Sequence, residues 1–536
     1  MKEGTRGMGK QSFIQGAIIL ILAGFVTKLL GFVNRIVMAR ILGPEGVGLY
    51  MMAVPILILV ITLTRLGLPV AISKLVAEAE AQGDRLRIKR ILVVSLAITA
   101  ILSVIFTVLT ILGAKMISSW FLTDERAYWP LIAITPIIPI VAISSVIKGY
   151  FQGRQNMRPS AYAQVIEQVV RISLVVLLST MLLPYGLEFA AAGAMISVVI
   201  GEAAALIYLL TTFKYSKRKN EFRIHTGFFA QLQKGKETLQ DLLRIGLPAT
   251  GSGLIGSLSW TFEPILVAQS LAIAGVATSV ATAQYGLLSG YAIPLVMLPM
   301  FITYSLSVSL VPAISEARAR YNYALIHRRL YQALRIALIC GAPSTVIMFF
   351  FAGPLTTVIY DTPEAAKFLQ LLAPFFLLLY FQGPLQAALQ GLDLAKTAMM
   401  NTLYGAMIKM IAIVFLASRP SLGIYGAALA ININVCLVTL LHFFSIVKVM
   451  KGFSIHVQDI VKTGLAMAMM AAGGVYGFDW LQRELGLSLL WALVLTLLFA
   501  GWLYFLSLIA LKMVGRQDME RIPIIGKHIA PIFPRR

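Results

Sequence analysis

Apolar residues fall in long blocks separated by short polar stretches, from residue 12 to residue 511. A helix that crosses a bilayer needs about twenty mostly apolar residues. Blocks of that length lie near 12–33, 46–69, 91–113, 130–147, 161–184 and 189–212. A polar stretch at 213–241 follows. Further blocks lie near 242–270, 281–309, 332–353, 368–390, 397–418 and 424–447, with two more near 460–478 and 488–511. The pattern predicts an all-α polytopic membrane protein of about fourteen transmembrane helices. The expected division is a six-helix lobe at 1–212, a basic cytosolic connector at 213–241, a second six-helix lobe at 242–450, and two extra helices with a basic tail at 451–536. The first apolar block follows basic residues but is too long for a signal-peptide core, so it reads as a retained first helix.

Composition agrees. Hydrophobic residues make up 59% of the 536, and charged residues 13%. An ordinary soluble domain carries about 25% charged residues, and the mean hydropathy here is +0.84. The net charge of +22 would suggest nucleic acid in a soluble protein. Its distribution makes nucleic acid unnecessary to explain it. With the N-terminus in the cytosol, 31 of the 45 Lys and Arg fall in cytosolic segments and 7 in external ones. This asymmetry predicts a multi-pass membrane protein with both termini cytosolic. Cys340 and Cys436 lie in apolar runs and read as ordinary buried thiols,.

The two halves look related. Ala71-Ile72-Ser73 follows the second span, and Ala313-Ile314-Ser315 follows the eighth. Pro136 matches Pro374, Gln152-Gly153 matches Gln390-Gly391, and Arg171 matches Lys409, all at one offset of 238 residues. Six helices is an even number, so the halves enter the membrane in the same sense, as parallel repeats. Transporters of this kind work by alternating access at the repeat interface.

A charge at the bilayer centre costs at least about 2.5–3.5 kcal/mol, so each one asks for a partner or a wet cavity. Lys28 and Arg65 lie in the first two spans, which contain no acid. Together they form a candidate anion site, suited to a phosphate. The bland alternative is that Arg65 snorkels and Lys28 pairs with Glu202 or Glu263. Arg35, seven residues after Lys28, roughly shares its helix face. Lys409 is a candidate counterpart in the other half. Glu167 and Arg171 are four apart on one helix face. With Glu202 they form either a charge relay or a structural pair. Trp260, Phe262 and Glu263 precede Pro264 and suit a cavity lining or a packed core. Arg244, Arg335 and Lys462 begin spans and are expected to snorkel to headgroups. Gly31, Pro55, Pro136, Pro294, Pro299 and Pro374 interrupt spans and mark possible hinges.

No Walker loop, HExxH or GxSxG stands in the sequence,. The five histidines (His225, His327, His442, His456 and His528) are scattered and make no metal pattern,. No catalytic residue, metal or cofactor is expected; the chain reads as a transporter.

The run GFVTKLLGF at 24–32, followed by ARILG at 39–43, resembles helix one of the bacterial lipid II flippases. Their superfamily also holds the multidrug and toxic compound extrusion antiporters and the oligosaccharide-lipid flippases. GFVNR (31–35), EGVGLYMMA (45–53), LGLPVAISKLVAEA (66–79) and GYFQGRQNM (149–157) resemble its sporulation members. So do EQVVRISLV (167–175), EPILVAQSLAIAGVAT (263–278) and APFFLLLYFQGPLQAALQ (373–390). The likeness weakens after about 450. It implies a flippase of the bacterial cytoplasmic membrane for an undecaprenyl-pyrophosphate-linked peptidoglycan precursor, used in spore cortex synthesis. In that family, basic residues of helices one, two and eight are thought to hold the pyrophosphate. Lys28 resembles the first such position, Asn34 (with Arg35 beside it) the second, and Arg65 the helix-two position. The helix-eight arginine has no match, since the local run is Gln284-Tyr285-Gly286. Expected partners are the lipid-linked precursor, membrane lipids and cortex-synthesising enzymes. Two other readings stand beside this one: a cation-coupled multidrug or polysaccharide exporter, and a membrane scaffold for cortex enzymes.

Overall fold

The computed structural model describes residues 13–215, 228–233, 235–450, 453 and 456–514. The expected basic tail beyond 514, most of the basic connector, His225 and His528 lie outside them. Every regular element among the described residues is helical. The first unit, Met1–Gly286, begins with α1 (Phe13–Arg65), α2 (Leu68–Gln82), α3 (Arg85–Met116), α4 (Tyr128–Ile134) and α5 (Ile137–Gly153). It continues with α6 (Arg158–Leu182), α7 (Leu187–Tyr215), α8 (Phe228–Gln233), α9 (Lys236–Ile273) and α10 (Thr278–Gly286). The second unit, Leu287–Arg536, holds α11 (Ile293–Val296), α12 (Met300–Ala319), α13 (Tyr323–Phe350), α14 (Ala352–Tyr360) and α15 (Ala366–Gly391). It ends with α16 (Ala395–Ala417), α17 (Ile424–Val449), α18 (Val457–Arg483) and α19 (Leu489–Ala510).

Twelve stretches of the described residues are long and apolar enough to cross a membrane, against the fourteen expected. The expected first two spans run together through α1, whose only non-helical residue is Gly43 at φ 64°. Pro44 follows it, and a Cβ at position 43 would be strained. The expected seventh span falls on α9, which is not among the twelve. The expected continuous eighth span at 281–309 is broken. α10 gives way to a π-helical segment, Leu287–Ala292, then to α11, a turn, and α12. Pro294 and Pro299 cause this, because each removes a backbone donor and its ring clashes with the preceding turn. Pro136 likewise separates α4 from α5.

The repeat is written in the backbone at the same offset of 238. Left-handed residues pair as Gly83 with Tyr321, Thr123 with Asp361, and Gln155 with Asp393. Asp84 caps α3 by accepting from the Arg87 amide at 2.9 Å, and Asn322 caps α13 by accepting from the Leu325 amide at 3.0 Å. One-turn 3₁₀ helices stand at Glu125–Ala127 and Pro363–Ala365. Helix-ending bonds also coincide: Asp84 N to Ala79 O with Asn322 N to Ala317 O, and Asn156 N to Phe151 O with Leu394 N to Leu389 O. Each half therefore builds the same helix ends from different side chains.

Candidate functional site

The first unit gathers five ionisable side chains from four helices. α1 ends at Arg65 because Leu66 and Gly67 both turn left-handed, which lets α2 start at Leu68 with Pro69 in its first turn. α7 carries a face of small residues: Ala190, Ala194, Ser197, Gly201 and Ala205 are all buried. Small residues let helix backbones approach closely in lipid. A Cβ on Gly201 would lie 2.9 Å from the Glu167 carbonyl, and one on Gly193 would lie 2.8 Å from the Leu178 carbonyl. α6 and α7 are thus pressed together beside Glu167 and Glu202.

Glu167 accepts a hydrogen bond from the Arg171 guanidinium one turn along α6. Glu202, on α7 beside Gly201, takes Lys148 Nζ of α5 at 3.2 Å. Arg65 approaches both acids closely enough to feel their charge, yet its buried Nε has no hydrogen-bond partner among the described residues. Three cations thus surround two acids, and two of the cations are already committed to them.

The sequence-predicted residues divide. Glu167, Arg171, Glu202 and Arg65 come together. Lys148 joins them and was missed, since it falls one position past the apolar run 130–147 and reads as a cytosolic charge. The four-residue register of Tyr150 and Arg154, which bond at 2.7 Å, is a usable signal that the helix continues to Gly153. Glu202 pairs with Lys148, not with Lys28. Lys28 is exposed on α1, on the far side of the Gly43 break from Arg65. Asn34 is buried with its Oδ1 unpartnered among the described residues, and Arg35 beside it is half-buried. Glu263 and Tyr285 are buried, whereas Trp260 and Phe262 are exposed. Lys409 is buried on α16 in the second unit.

Two further clusters were not read from the sequence. In the first unit, Asp124 is buried and holds Arg126 through Nε at 3.0 Å and Nη2 at 2.9 Å. Arg126 Nη1 lies 2.7 Å from Glu45 Oε1. In the second unit, Arg335 does not snorkel. It donates to the Met513 carbonyl and lies 4.0 Å from Asp459 Oδ2, which also accepts from the Tyr331 hydroxyl. The apolar packing of α13 on α18 draws Arg335 inward, and Asp459 makes that tolerable. His442, fully buried in α17, meets Asn401 Nδ2 at 3.1 Å through Nδ1.

A kinked, repeated helical bundle with charged side chains buried in both halves is the architecture of a polytopic transporter. Residues 13–318 match the polysaccharide biosynthesis protein family, and residues 288–416 match MatE. The chain is 52% identical to stage V sporulation protein B of Bacillus subtilis (strain 168) over 528 residues, covering 97% of this chain and 100% of that protein. It is 25% identical to the lipid II flippase MurJ of the same organism, over 86% of each chain. Among solved structures, lipid II flippase MurJ in an inward closed conformation matches with a TM-score of 0.69 at 16% identity, covering 91% of this chain and 98% of that one. The chain belongs to the polysaccharide biosynthesis protein family, within the multidrug/oligosaccharidyl-lipid/polysaccharide flippase superfamily. It is a multi-pass membrane transporter of that superfamily.

Proposed function

We propose that the protein flips an undecaprenyl-pyrophosphate-linked peptidoglycan precursor across the bacterial cytoplasmic membrane by alternating access, for spore cortex synthesis. The likeness to a protein named as a lipid II flippase and to a sporulation protein supports the substrate and the setting. The observation that carries the reading is Arg65. A guanidinium whose buried Nε lacks a partner among the described residues is a ready donor to a phosphate oxygen, because a pyrophosphate supplies the missing charge-assisted bonds. Lys28, Asn34 and Arg35 would contribute from the first part of α1, with Glu263 and Tyr285 contacting the headgroup. Lys409 is proposed as the second half's cation. The lobes 1–212 and 242–450, the connector 213–241, the 451–536 appendage and cytosolic termini complete the reading, supported by the repeat and by the charge asymmetry. Cortex-synthesising enzymes are its proposed partners.

The test is reconstitution in liposomes with a fluorescent lipid-linked precursor and, separately, cationic dyes. Wild-type protein should move the lipid, and Arg65→Glu and Lys28→Glu should abolish movement while the protein remains folded and inserted. Full flipping by the Lys28→Glu, Arg65→Glu double variant would reject the site. The half-buried Glu167 and the buried Glu202 favour a second reading, a cation-coupled exporter, which predicts movement of dye but not of lipid.

A further inference from the structure

Along α3 and into the π-helical segment Ile117–Phe121, the residues Val104, Val108, Leu112, Met116 and Trp120 recur at four-residue spacing. They share one helix face, and all five are exposed. In a membrane span such a stripe meets lipid tails, which are as apolar as leucine. The second half treats its equivalent face differently. At the offset of 238, Val104 corresponds to Ala342 and Val108 to Val346. Both are buried in one cluster with Ala466 and Met470 of α18 and Ala500 of α19. The chain covers this face with its own helices in the second half and leaves it open in the first.

A cavity of about 320 Å³ opens where the stripe ends, lined by Lys115, Ser118, Ser119, Glu125 and Tyr128. The last turn of α3 supplies Lys115, the π-helical segment the serines, the 3₁₀ turn Glu125, and the start of α4 Tyr128. The Ser118 and Ser119 hydroxyls donate to the Lys115 carbonyl at 3.0 and 2.8 Å, so their oxygens keep lone pairs for a donor. Among the described residues, neither Lys115 nor Glu125 makes an ion pair, although the two line one cavity. The turn does not need them. At the same offset Lys115 corresponds to Gly353, Glu125 to Pro363 and Tyr128 to Ala366. The closing bond survives there: Asp124 N to Ser118 O at 3.2 Å has its counterpart in Thr362 N to Thr356 O at 3.5 Å.

The two charges are ordered in depth. Lys115 lies in the span's final turn, and Glu125 lies in the loop beyond it. Exposed Trp120 and Trp129 stand beside this turn, and tryptophan favours the boundary between hydrocarbon and water. A phospholipid likewise carries its phosphate next to the acyl chains and any amine outside it. We propose that the cavity binds the headgroup of a phospholipid with a primary amine, a phosphatidylethanolamine. Lys115 and the Tyr128 hydroxyl donate to the phosphate, and Glu125 and the serine oxygens accept from the ammonium. One acyl chain lies along the stripe from Met116 to Val104. The order of charges sets the specificity. A trimethylammonium has no hydrogen to give Glu125, and an anionic headgroup leaves that carboxylate without a cation.

Native mass spectrometry tests this on the full chain, released from nanodiscs of phosphatidylethanolamine, phosphatidylcholine and phosphatidylglycerol in equal parts. Wild-type protein should retain phosphatidylethanolamine above the other two. Lys115→Ala and Glu125→Gln should each reduce that excess roughly three- to fivefold, the scale of one exposed ion pair. Glu125→Lys should turn the preference toward phosphatidylglycerol, an outcome that a misfolded variant would not give. Glycerophosphoethanolamine, the same headgroup without acyl chains, should not displace the lipid at equal concentration; displacement would overturn the lipid as the ligand. Equal retention of the three lipids by wild type, or a preference that survives both Lys115→Ala and Glu125→Gln, would overturn the site. So would a lipid-free dimer, which would give the stripe to a second copy of the chain.

Discussion

The Thr282 hydroxyl donates to Asp124 Oδ2 over 2.7 Å, tying α10 to the turn that precedes α4. Asp124 is nearly inaccessible, at 3% exposure, and the same carboxylate holds Arg126, which also lies against Glu45. Two helices of the first unit, α1 just past its Gly43 break and α10, thus converge on one acid.

Removing that acid should cost more than removing either hydroxyl or guanidinium partner. Asp124→Ala leaves Arg126 with Glu45 alone and strands the Thr282 hydroxyl. Hydrogen bonds to charged groups contribute about 1.5–3 kcal/mol, so a clear fall in melting temperature in detergent is expected. Thr282→Val should cost about 1 kcal/mol, as a single hydrogen bond does. A double-mutant cycle should show coupling, because the two groups are in contact. Additive losses would show that the contact contributes nothing.

Glycines on the same seam give a sharper contrast. A Cβ on Gly48 would fall into the Thr282 carbonyl, and one on Gly286 into the Pro44 carbonyl. Gly286→Ala must therefore push α10 away from α1, at a cost of about 1–3 kcal/mol or more for overpacking. Gly256, on the open face of α9, has nothing within 4 Å of its built Cβ. Gly256→Ala should instead stabilise by up to about 1 kcal/mol through helix propensity. Thermal unfolding of the two variants should move in opposite directions, and movement in one direction would reject the packing argument.

Much of this fold is legible from hydropathy and spacing alone, because lipid forces every span to be a helix. The repeat is legible for the same reason: Gln152-Gly153 and Gln390-Gly391 stand at matching helix ends. The four-residue register of Glu167 and Arg171 is readable as shared-face geometry. Lys148 is not, because a cation at the end of an apolar run looks the same whether it faces water or an acid on a neighbouring helix. Asp124, Arg126 and Thr282 are equally silent, since 158 residues separate Asp124 from Thr282 and only tertiary packing joins them. Arg335 misleads outright. Its position at a span end suits snorkelling, and the partner that draws it in, Asp459, lies across a different helix.

The Lys148–Glu202 pair offers a test of buried-charge logic. Lys148→Met leaves Glu202 buried without its cation, and breaking such a pair from one side costs about 3–5 kcal/mol when it is fully buried. Lys148 is 19% exposed in its side chain, so the loss should fall below that range. Lys148→Met with Glu202→Gln removes both charges and should recover most of the stability, since replacing a buried pair is often neutral. Yield and melting temperature in detergent measure this. A double variant no better than the single one would mean that Lys148 acts through packing and not through charge.

The repeat itself sets the last prediction. Gly83 and Tyr321 occupy equivalent helix ends, both left-handed, at φ 71° and φ 53°. In each, the residue that follows bonds back to the carbonyl five residues earlier, Asp84 N to Ala79 O and Asn322 N to Ala317 O, both at 2.9 Å. This closure demands a left-handed residue after the helix. Glycine supplies it without strain, whereas a side chain there costs roughly 1–2 kcal/mol. Tyr321 is 83% exposed, so its ring gains little burial in return. Tyr321→Gly should therefore raise the melting temperature, and Gly83→Ala should lower it by a similar amount. No Cβ clash accounts for the second effect, since nothing lies within 4 Å of a Cβ built on Gly83. A Tyr321→Gly variant less stable than wild type would show that the tyrosine makes contacts worth more than the strain it imposes.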